Sequence, residues 1–348
     1  MAVKKVRIGI VGAGENTRVR HIPGFRALSG VEIVGVVNST PESTLRVAKE
    51  FSIPQVYPDW QSLVADPNVD AVMIGTWPNL HCEVACTALA AGKHVLTEAR
   101  MARNVAEARK MLAASEAHPE LVAQIVPSPL GLKHLDYVSE MIKRVYIGEL
   151  REVIVISVDD MFWDYTKLLH WRQDVEISGV NTLSLGIIHE TVMRWVPPVK
   201  KVYAHTAIFE PTRPVPGKQE PRRVSVPESV QVLAQLANGA RAIYHVSGID
   251  LCGPGRQIHL YGSNGTIKLE FGEKERLFAG RRNLPLSEIN VDPEKLGDWR
   301  VEAEFIGAIR GEEKVHLTDF PTGVKYMEFT EAVIRSGETG QAIDLPLK

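Results

Sequence analysis

The chain has 348 residues, which is more than one typical hydrophobic core accommodates and suits two domains. Hydrophobic residues make up 45% of the chain and charged residues 24%, which excludes a disordered or fibrous protein. The formal net charge is −2, so the sequence has no basic excess with which to bind nucleic acid.

The cysteines and the apolar runs bear on the compartment. Cys82, Cys86 and Cys252 are too few for a disulfide framework and fit a reducing compartment. Cys82 and Cys86 lack further ligands at metal-site spacing, so no metal is expected. Residues 1–7 are too short and too charged for a signal peptide, and no apolar run reaches the length of a membrane span. We therefore expect a cytoplasmic protein with no membrane partner.

The first part of the chain alternates apolar runs with helical patterns. Strands are predicted at residues 6–11, 31–37, 71–75, 94–97 and 121–126. Helices are predicted at residues 23–28, 41–51, 60–64, 80–91 and 105–117. Continuous apolar strands separated by helices are typical of a parallel sheet covered on both faces. Residues 1–126 are therefore predicted to form an α/β Rossmann domain with a doubly wound parallel sheet.

The pattern changes at Pro127-Ser-Pro129, which marks a crossing segment. A helix is predicted at 135–144, and longer alternating strands follow at residues 152–158, 200–208, 229–236, 241–247, 257–261 and 266–270. Asn238-Gly239 predicts a hairpin turn. Residues 210–228 are rich in proline and charge and are predicted to form an exposed loop. Residues 127–348 are thus predicted to form an α+β domain with a large open, mostly antiparallel sheet.

A glycine turn follows the first predicted strand. It contains the candidate cofactor-binding residues Gly12, Gly14, Glu15, Asn16 and Thr17. Gly12 allows a tight turn, and Gly14 lets the backbone approach a pyrophosphate that faces the free amides of the next helix. Thr17 stands where glycine or alanine is usual. At the start of a five-strand alternation this turn predicts NAD(P)(H) binding; the alternative is a plain strand-to-helix turn.

Polar residues follow the second predicted strand. NAD-specific sites usually place an acid there to bind the ribose 2′-hydroxyl. Asn38 carries no negative charge, and Ser39, Thr40 and Arg46 could instead receive a 2′-phosphate. We therefore favour NADP(H) over NAD(H). The alternative is that these residues only cap the helix that starts at Pro41.

The loops after the third and fourth predicted strands reach the same edge of the sheet, where such loops line a cofactor crevice. They contribute the candidate cofactor-binding residues Thr76, Trp77, Pro78, His81, Glu98 and Ala99. His81 and Glu83 could act chemically, although we favour the interpretation that both are residues of the first turns of a helix.

Segments along nearly the whole chain together resemble the Gfo/Idh/MocA family of glucose-fructose oxidoreductase and inositol dehydrogenase relatives. They are the glycine turn, Thr76-Trp-Pro-Asn-Leu-His81, Ala91-Gly-Lys-His-Val95, Ile147-Gly-Glu-Leu150, Trp171-Arg172 and Tyr261-Gly-Ser-Asn-Gly265. The resemblance implies a Rossmann domain followed by an open-sheet domain, with the nicotinamide between them. It also implies that Arg172 lies near the cofactor and that the protein is a homo-oligomer, a dimer or tetramer.

The departures from this family fall on its chemistry. The family's Glu-Lys-Pro reads Glu98-Ala99-Arg100 here, so a methyl group replaces the lysine that touches cofactor and substrate. Arg100 is a poor acid or base. A second motif places Asp and His four residues apart on a helix; here those positions hold Ser184 and Ile188.

His189 lies one position beyond the family's histidine, which turns its side chain by about 100° around a helix. Either a local irregularity brings His189 to the site, or it is a satisfied, partly buried histidine. Glu190 is a weaker candidate. Tyr165 and His170 could act as proton donors at a carbonyl, or could stack on a sugar or fill a hinge. The catalytic candidates are therefore His189, Tyr165 and His170.

Three functions follow, in order of preference. The first is an NAD(P)(H)-dependent oxidoreductase acting on a sugar, polyol or related small hydroxy or keto compound, with a rearranged acid/base site. The second is a non-catalytic nucleotide-binding sensor or regulator. The third is a lyase or glycosidase that uses the cofactor transiently.

Overall fold

The computed structural model describes residues 5–348. None of the helices in this range has both the length and the apolar character needed to cross a membrane. The first four residues, which belong to the segment judged too charged for a signal peptide, lie outside the described range. The chain divides into two compact units. Residues up to Pro127 together with Arg300–Val324 form the first, and Ser128–Trp299 with Lys325–Lys348 form the second.

A six-stranded parallel sheet forms the centre of the first unit. Its strands are β1 (Val6–Val11), β2 (Val31–Val37), β3 (Gln55–Val56), β4 (Ala71–Ile74), β5 (His94–Thr97) and β6 (Ala123–Ile125), in the order β3-β2-β1-β4-β5-β6. The helices between them are α1 (Ile22–Arg26), α2 (Pro41–Glu50), α3 (Trp60–Ala65), α4 (Pro78–Ala90) and α5 (Val105–Glu116). The strand order reverses between β1 and β4, which is where doubly wound sheets bind ligands.

Local sequence explains these elements. Every residue of β4 is buried, as expected for a strand covered on both faces. Thr40 caps α2 by accepting a hydrogen bond from the Ser43 amide, and Pro41 occupies the first helical position. Asn104 caps α5 in the same way through the Glu107 amide. The predicted Rossmann sheet is confirmed.

The helix after the glycine turn starts earlier than the predicted 23–28. Helical backbone begins at Glu15 and passes through a π-helical turn, Thr17–His21, into α1. The predicted range began at Pro23, a residue that lacks an N–H and is accepted in the first turn of a helix. In the structure the π turn lies directly before α1, so the helix has already begun on the N-terminal side of Pro23.

The second unit is built on a nine-stranded sheet. It begins with the helix α6 (Leu135–Lys143). The strands of the large sheet are β7 (Leu150–Val158), β8 (Val199–Ala207), β11 (Ser229–Leu236), β12 (Arg241–Ser247), β13 (Arg256–Gly262), β14 (Gly265–Phe271), β15 (Glu275–Arg281), β16 (Leu284–Glu288) and β17 (Ile343–Asp344). Two short strands, β9 (Thr212–Arg213) and β10 (Arg222–Arg223), form a separate two-stranded ribbon. The remaining helices of the chain are α7 (Val175–Ser178), α8 (Leu185–Met193), α9 (Val301–Arg310) and α10 (Phe320–Thr339).

The strand order in this sheet is β16-β15-β14-β13-β7-β12-β11-β8-β17. Only the β12–β7 pair is parallel among the described strands of this sheet, so the predicted mostly antiparallel sheet is confirmed. Val232 and Tyr244 point to the buried face, while Leu233 and Ile243 are about half exposed on the other. Asn238-Gly239 joins β11 to β12 as a hairpin turn, as predicted.

The segment 210–228 is not the fully exposed loop that its composition predicted. It forms the β9–β10 ribbon, and Arg213, Val224 and Val226 in it are buried. The Arg213 guanidinium donates hydrogen bonds to the carbonyl oxygens of Phe162 and Asp164. The prediction was wrong because composition cannot show that a charged side chain is buried with its partners.

Candidate active site

The glycine turn after β1 is shaped for a close backbone approach. Gly12 has φ +83°, and a Cβ there would lie 2.6 Å from Thr76 Cγ2 and 2.9 Å from the Thr76 amide nitrogen. Gly14 is exposed, and a Cβ on it would meet only the Gly75 carbonyl oxygen, at 3.4 Å. Helical backbone begins at Glu15, and the first amides of a helix lack intrahelical partners. The turn therefore offers open space and free donors that fit a pyrophosphate.

Gly75 takes over the function of the missing third glycine. Thr17 is buried, with its Oγ1 3.4 Å from the Gly12 carbonyl oxygen. A Cβ on Gly75 would lie 2.1 Å from Thr17 Oγ1 and 2.2 Å from the Gly12 carbonyl oxygen. The close packing of helix on strand is thus made at the end of β4. Sequence reasoning missed it because the glycine was sought within the turn itself.

Asn38 links the end of β2 to the turn. Its Oδ1 accepts a hydrogen bond from the Ala13 amide at 2.7 Å, and its Nδ2 donates to the Ser43 carbonyl oxygen at 3.2 Å. Thr40 caps α2, as in the alternative interpretation given above. Ser39 is exposed, and its side chain makes no hydrogen bond within residues 5–348. Ser39 therefore presents the available hydroxyl at this end of the crevice.

The loop after β4 leads directly into α4. Trp77 is 51% exposed, and Pro78 is buried at the first position of the helix. His81 is fully buried, with Nδ1 2.9 Å from the Arg100 carbonyl oxygen and Nε2 3.0 Å from that of Thr76. Burial lowers the pKa of His81. These contacts fit the interpretation of His81 as a residue of the first turns of α4, and they show in addition that its ring links two loops. Glu83 is exposed on the same helix.

A buried charged cluster stands at the carboxyl end of β5, and sequence reasoning missed two of its four members. His21 Nε2 lies 3.0 Å from Glu98 Oε1, and His21 Nδ1 lies 2.5 Å from Glu302 Oε1. Asn16 Nδ2 donates to the same Glu98 oxygen at 2.5 Å. The glycine turn, β5 and α9 therefore meet through these four side chains, which we call the His21 cluster.

The protonation states in the His21 cluster follow from its geometry. Burial disfavours the imidazolium, but the hydrogen bonds to Glu302 and Glu98 outweigh it and raise the pKa of His21 to about 9. Burial likewise opposes ionisation of Glu98, while the hydrogen bond and the charge of His21 hold its pKa below the usual range. The histidine is therefore charged at neutral pH. Ala99 follows as a half-buried methyl group, and Arg100 is buried.

His189 lies in the core of the second unit. Its ring stacks on Phe329 with centroids 3.5 Å apart, and its Nδ1 lies 2.9 Å from Tyr244 Oη. Burial lowers the pKa of His189 to about 3, so the ring is neutral. Ser184, in place of the family's Asp, has its Oγ 2.6 Å from Ser157 Oγ. These contacts favour the interpretation of His189 as a satisfied buried histidine.

Glu190 has a partner that explains its burial. Its carboxylate forms an ion pair with Arg194 at 2.6 Å, and both side chains are about 95% buried. Glu190 also accepts a hydrogen bond from the Ser128 amide at 3.1 Å, and Arg194 donates to the Leu130 carbonyl oxygen at 2.8 Å. The pair therefore holds the segment that follows Pro127, which is a structural function.

Tyr165, His170 and Arg172 belong to one segment between β7 and α7. Tyr165 is 61% exposed, and its hydroxyl makes no hydrogen bond in the described part of the chain. His170 Nδ1 accepts a hydrogen bond from the Arg172 amide at 3.2 Å. The Arg172 guanidinium lies 4.2 Å from the centroid of the Trp171 ring. The segment therefore presents one free phenol and one imidazole that is already hydrogen-bonded to backbone.

Comparison with known proteins gives this geometry a context. Residues 6–125 match "Oxidoreductase family, NAD-binding Rossmann fold", and residues 135–268 match "GFO/IDH/MocA C-terminal domain". The chain is 26% identical over 349 residues to the 1,5-anhydro-D-fructose reductase of Ensifer adhaerens, which covers 97% of this chain and 98% of that protein. It is also 26% identical over 219 residues to the levoglucosan dehydrogenase of Pseudarthrobacter phenanthrenivorans, over 59% of this chain and 56% of that protein.

A solved structure of levoglucosan dehydrogenase in complex with NADH and L-sorbose has the same fold. The TM-score is 0.86 at 20% sequence identity, and the match covers 98% of this chain and 99% of that chain.

Proposed function

Because the chain belongs to the Gfo/Idh/MocA family of oxidoreductases, we propose that it is an NAD(P)(H)-dependent oxidoreductase. Its substrate would be a sugar, polyol or related small hydroxy or keto compound, in line with the sugar derivatives for which the reductase and dehydrogenase relatives are named. The observation that carries the proposal is the open surface at Gly14, at the switch point of the parallel sheet.

When bound, a nicotinamide cofactor supplies hydride exchange with a substrate carbon, and the protein must move the hydroxyl proton separately. The amides that follow Gly14 would hold the pyrophosphate. His170 accepts a backbone N–H at Nδ1, so its neutral ring carries hydrogen at Nε2 and can only donate there. Tyr165 Oη is exposed and can both give and receive a proton. We assign proton transfer to Tyr165 and substrate orientation to His170.

A matched pair of variants tests this assignment. Tyr165→Phe should lower turnover by about 100-fold, the size typical of losing a general acid or base. His189→Phe should leave turnover within about threefold, because a neutral ring stacked in the core exchanges no proton there. The measurement is nicotinamide absorbance with a substrate found by screening. A loss with His189→Phe alone would reverse the two assignments.

We further propose NADP(H) as the preferred cofactor, because β2 ends without an acid and Ser39 is available beside the glycine turn. Asn38→Asp keeps an oxygen for the Ala13 amide and adds a negative charge facing a 2′-phosphate. It should shift the ratio of NADPH to NADH affinity towards NADH by about tenfold, equivalent to about 1.4 kcal/mol. Fluorescence titration with both nucleotides measures this ratio. Tighter NADH binding by the unsubstituted protein would contradict the proposal.

The experiment for the function as a whole is a nucleotide titration followed by a screen of sugars, polyols and keto compounds. Binding with turnover supports the oxidoreductase. Binding without turnover favours the sensor, for which the alanine at position 99 and the core position of His189 also argue. Altered products without net absorbance change favour the lyase or glycosidase, and no nucleotide binding overturns all three.

We also propose that the protein is a homo-oligomer, either a dimer or a tetramer. Tyr203, Leu233 and Ile243 expose about half of their surface on the outer face of the nine-stranded sheet. An apolar area of this kind on a sheet face is typical of an interface between subunits.

A further inference from the structure

The His21 cluster contains more negative than positive charge. Two carboxylates, Glu98 and Glu302, contact a single imidazolium, so the three groups together carry a net charge of −1. The side chain of His21 is fully buried, that of Glu302 is 5% exposed and that of Glu98 is 16% exposed. Because water is largely excluded from the cluster, its charge is screened far less than that of a surface group.

The position of the cluster in the sheet decides which part of a dinucleotide it faces. Doubly wound sheets bind the two halves of a dinucleotide on opposite sides of the switch point. Asn38 marks the β2 side, where the adenosine half would lie, so the nicotinamide half falls over the ends of β4 and β5. Glu98 directly follows β5, and Asn16 joins it to the turn that would hold the pyrophosphate.

We propose that the His21 cluster is a fixed negative charge that makes the protein favour the oxidised, positively charged nicotinamide over the reduced, neutral one. The inference rests on the proposed function, since it requires that a nicotinamide dinucleotide binds at this crevice. Glu98 provides the face towards the cofactor, while His21 and Glu302 are positioning residues. Glu302 also supplies the excess charge, from a helix near the far end of the chain.

The arrangement explains why a second carboxylate is present. One carboxylate would suffice to pair with His21, and the pair would then be neutral. With Glu302 bound to Nδ1, the charge of Glu98 is no longer cancelled by the imidazolium. The protein would thus be biased towards hydride donation to its substrate, which is the reductase direction, because this step forms the positively charged nicotinamide that the cluster stabilises.

The test compares dissociation constants for oxidised and reduced cofactor. The unsubstituted protein should bind NADP⁺ more tightly than NADPH, with NAD⁺ and NADH measured in parallel. Glu302→Gln keeps the shape and an oxygen for His21 Nδ1 but removes one negative charge. At a pH low enough to keep His21 protonated in the variant, it should reduce the preference for the oxidised form by about tenfold. The removal of one unit charge from a partly desolvated site has an effect of this order.

Glu304→Gln is the matched control. Glu304 is also a buried carboxylate of α9, but it accepts hydrogen bonds from Gln124 Nε2, at 2.8 Å, and from the Leu317 amide, at 3.4 Å, outside the His21 cluster. This variant should leave the ratio of the two affinities unchanged. If Glu302→Gln binds oxidised and reduced cofactor with the same ratio of affinities as the unsubstituted protein, the inference is overturned but the proposed function is not. Tighter NADPH binding by the unsubstituted protein does the same without any variant, whereas no binding of any nucleotide defeats the proposed function instead.

Discussion

Gly14→Val is expected to weaken dinucleotide binding by at least about 100-fold, or about 2.7 kcal/mol, without loss of stability. The backbone at Gly14 does not need a positive φ, and a Cβ there meets only one carbonyl oxygen, at 3.4 Å. The two methyl groups of valine would therefore extend into the space that the pyrophosphate must approach. Fluorescence titration with NADPH and NADH measures the binding, and thermal unfolding measures the stability.

Gly12→Ala is the control for this prediction, with the opposite expectation for stability. Its φ of +83° and the 2.9 Å approach to the Thr76 amide leave no room for a methyl group. We expect a lower melting temperature for Gly12→Ala but not for Gly14→Val. If Gly14→Val binds both nucleotides as the unsubstituted protein does, the cofactor does not lie on this turn.

The sequence predicted those parts of the fold that depend on neighbours along the chain. Alternation of apolar runs and helical patterns predicted the parallel sheet, and Asn238-Gly239 predicted a hairpin. The glycine turn was found because its spacing is local. Thr17, read as a departure, is instead complemented by Gly75, which lies at the end of another strand. The compensation is visible only when the two strands are side by side.

The buried charged groups could not be predicted in this way. His21 and Glu302 are 281 positions apart, and neither residue stands in a recognisable motif. A histidine in an early helix and a glutamate in a late one are each ordinary surface residues by composition. The fold makes them partners, because burial of one charge requires the other. Their contribution to the site could therefore be seen only in the structure.

Arg213→Met is expected to destabilise the second unit by about 3–5 kcal/mol, the range found when one partner of a buried ion pair is removed. The Arg213 and Glu228 side chains are 1% and 0% exposed, with their charged atoms 3.1 Å apart. Glu228 would keep hydrogen bonds from Gln173 Nε2 and from the Phe209 amide, but it would lose its cation. Urea unfolding followed by tryptophan fluorescence measures the change.

Two further variants show which part of the loss comes from charge. Arg222→Met, in the same ribbon, removes an arginine that is 51% exposed and pairs with Asp174, and should cost no more than about 1 kcal/mol. Adding Glu228→Gln to Arg213→Met removes the unpaired carboxylate and should recover part of the stability. Equal effects of Arg213→Met and Arg222→Met would show that the buried pair does not stabilise this unit.

The same substitution bears on the candidate site. The guanidinium of Arg213 binds the carbonyl oxygens of Phe162 and Asp164, and Tyr165 is the next residue along the chain. Losing these bonds should let the segment move, since carbonyl groups left without donors favour exposure to water. Turnover should then fall even at urea concentrations below the unfolding transition. Nucleotide affinity, which we propose depends on the first unit, should stay unchanged. A buried arginine in a segment that composition predicts to be an exposed loop would thus hold the proposed proton donor in place.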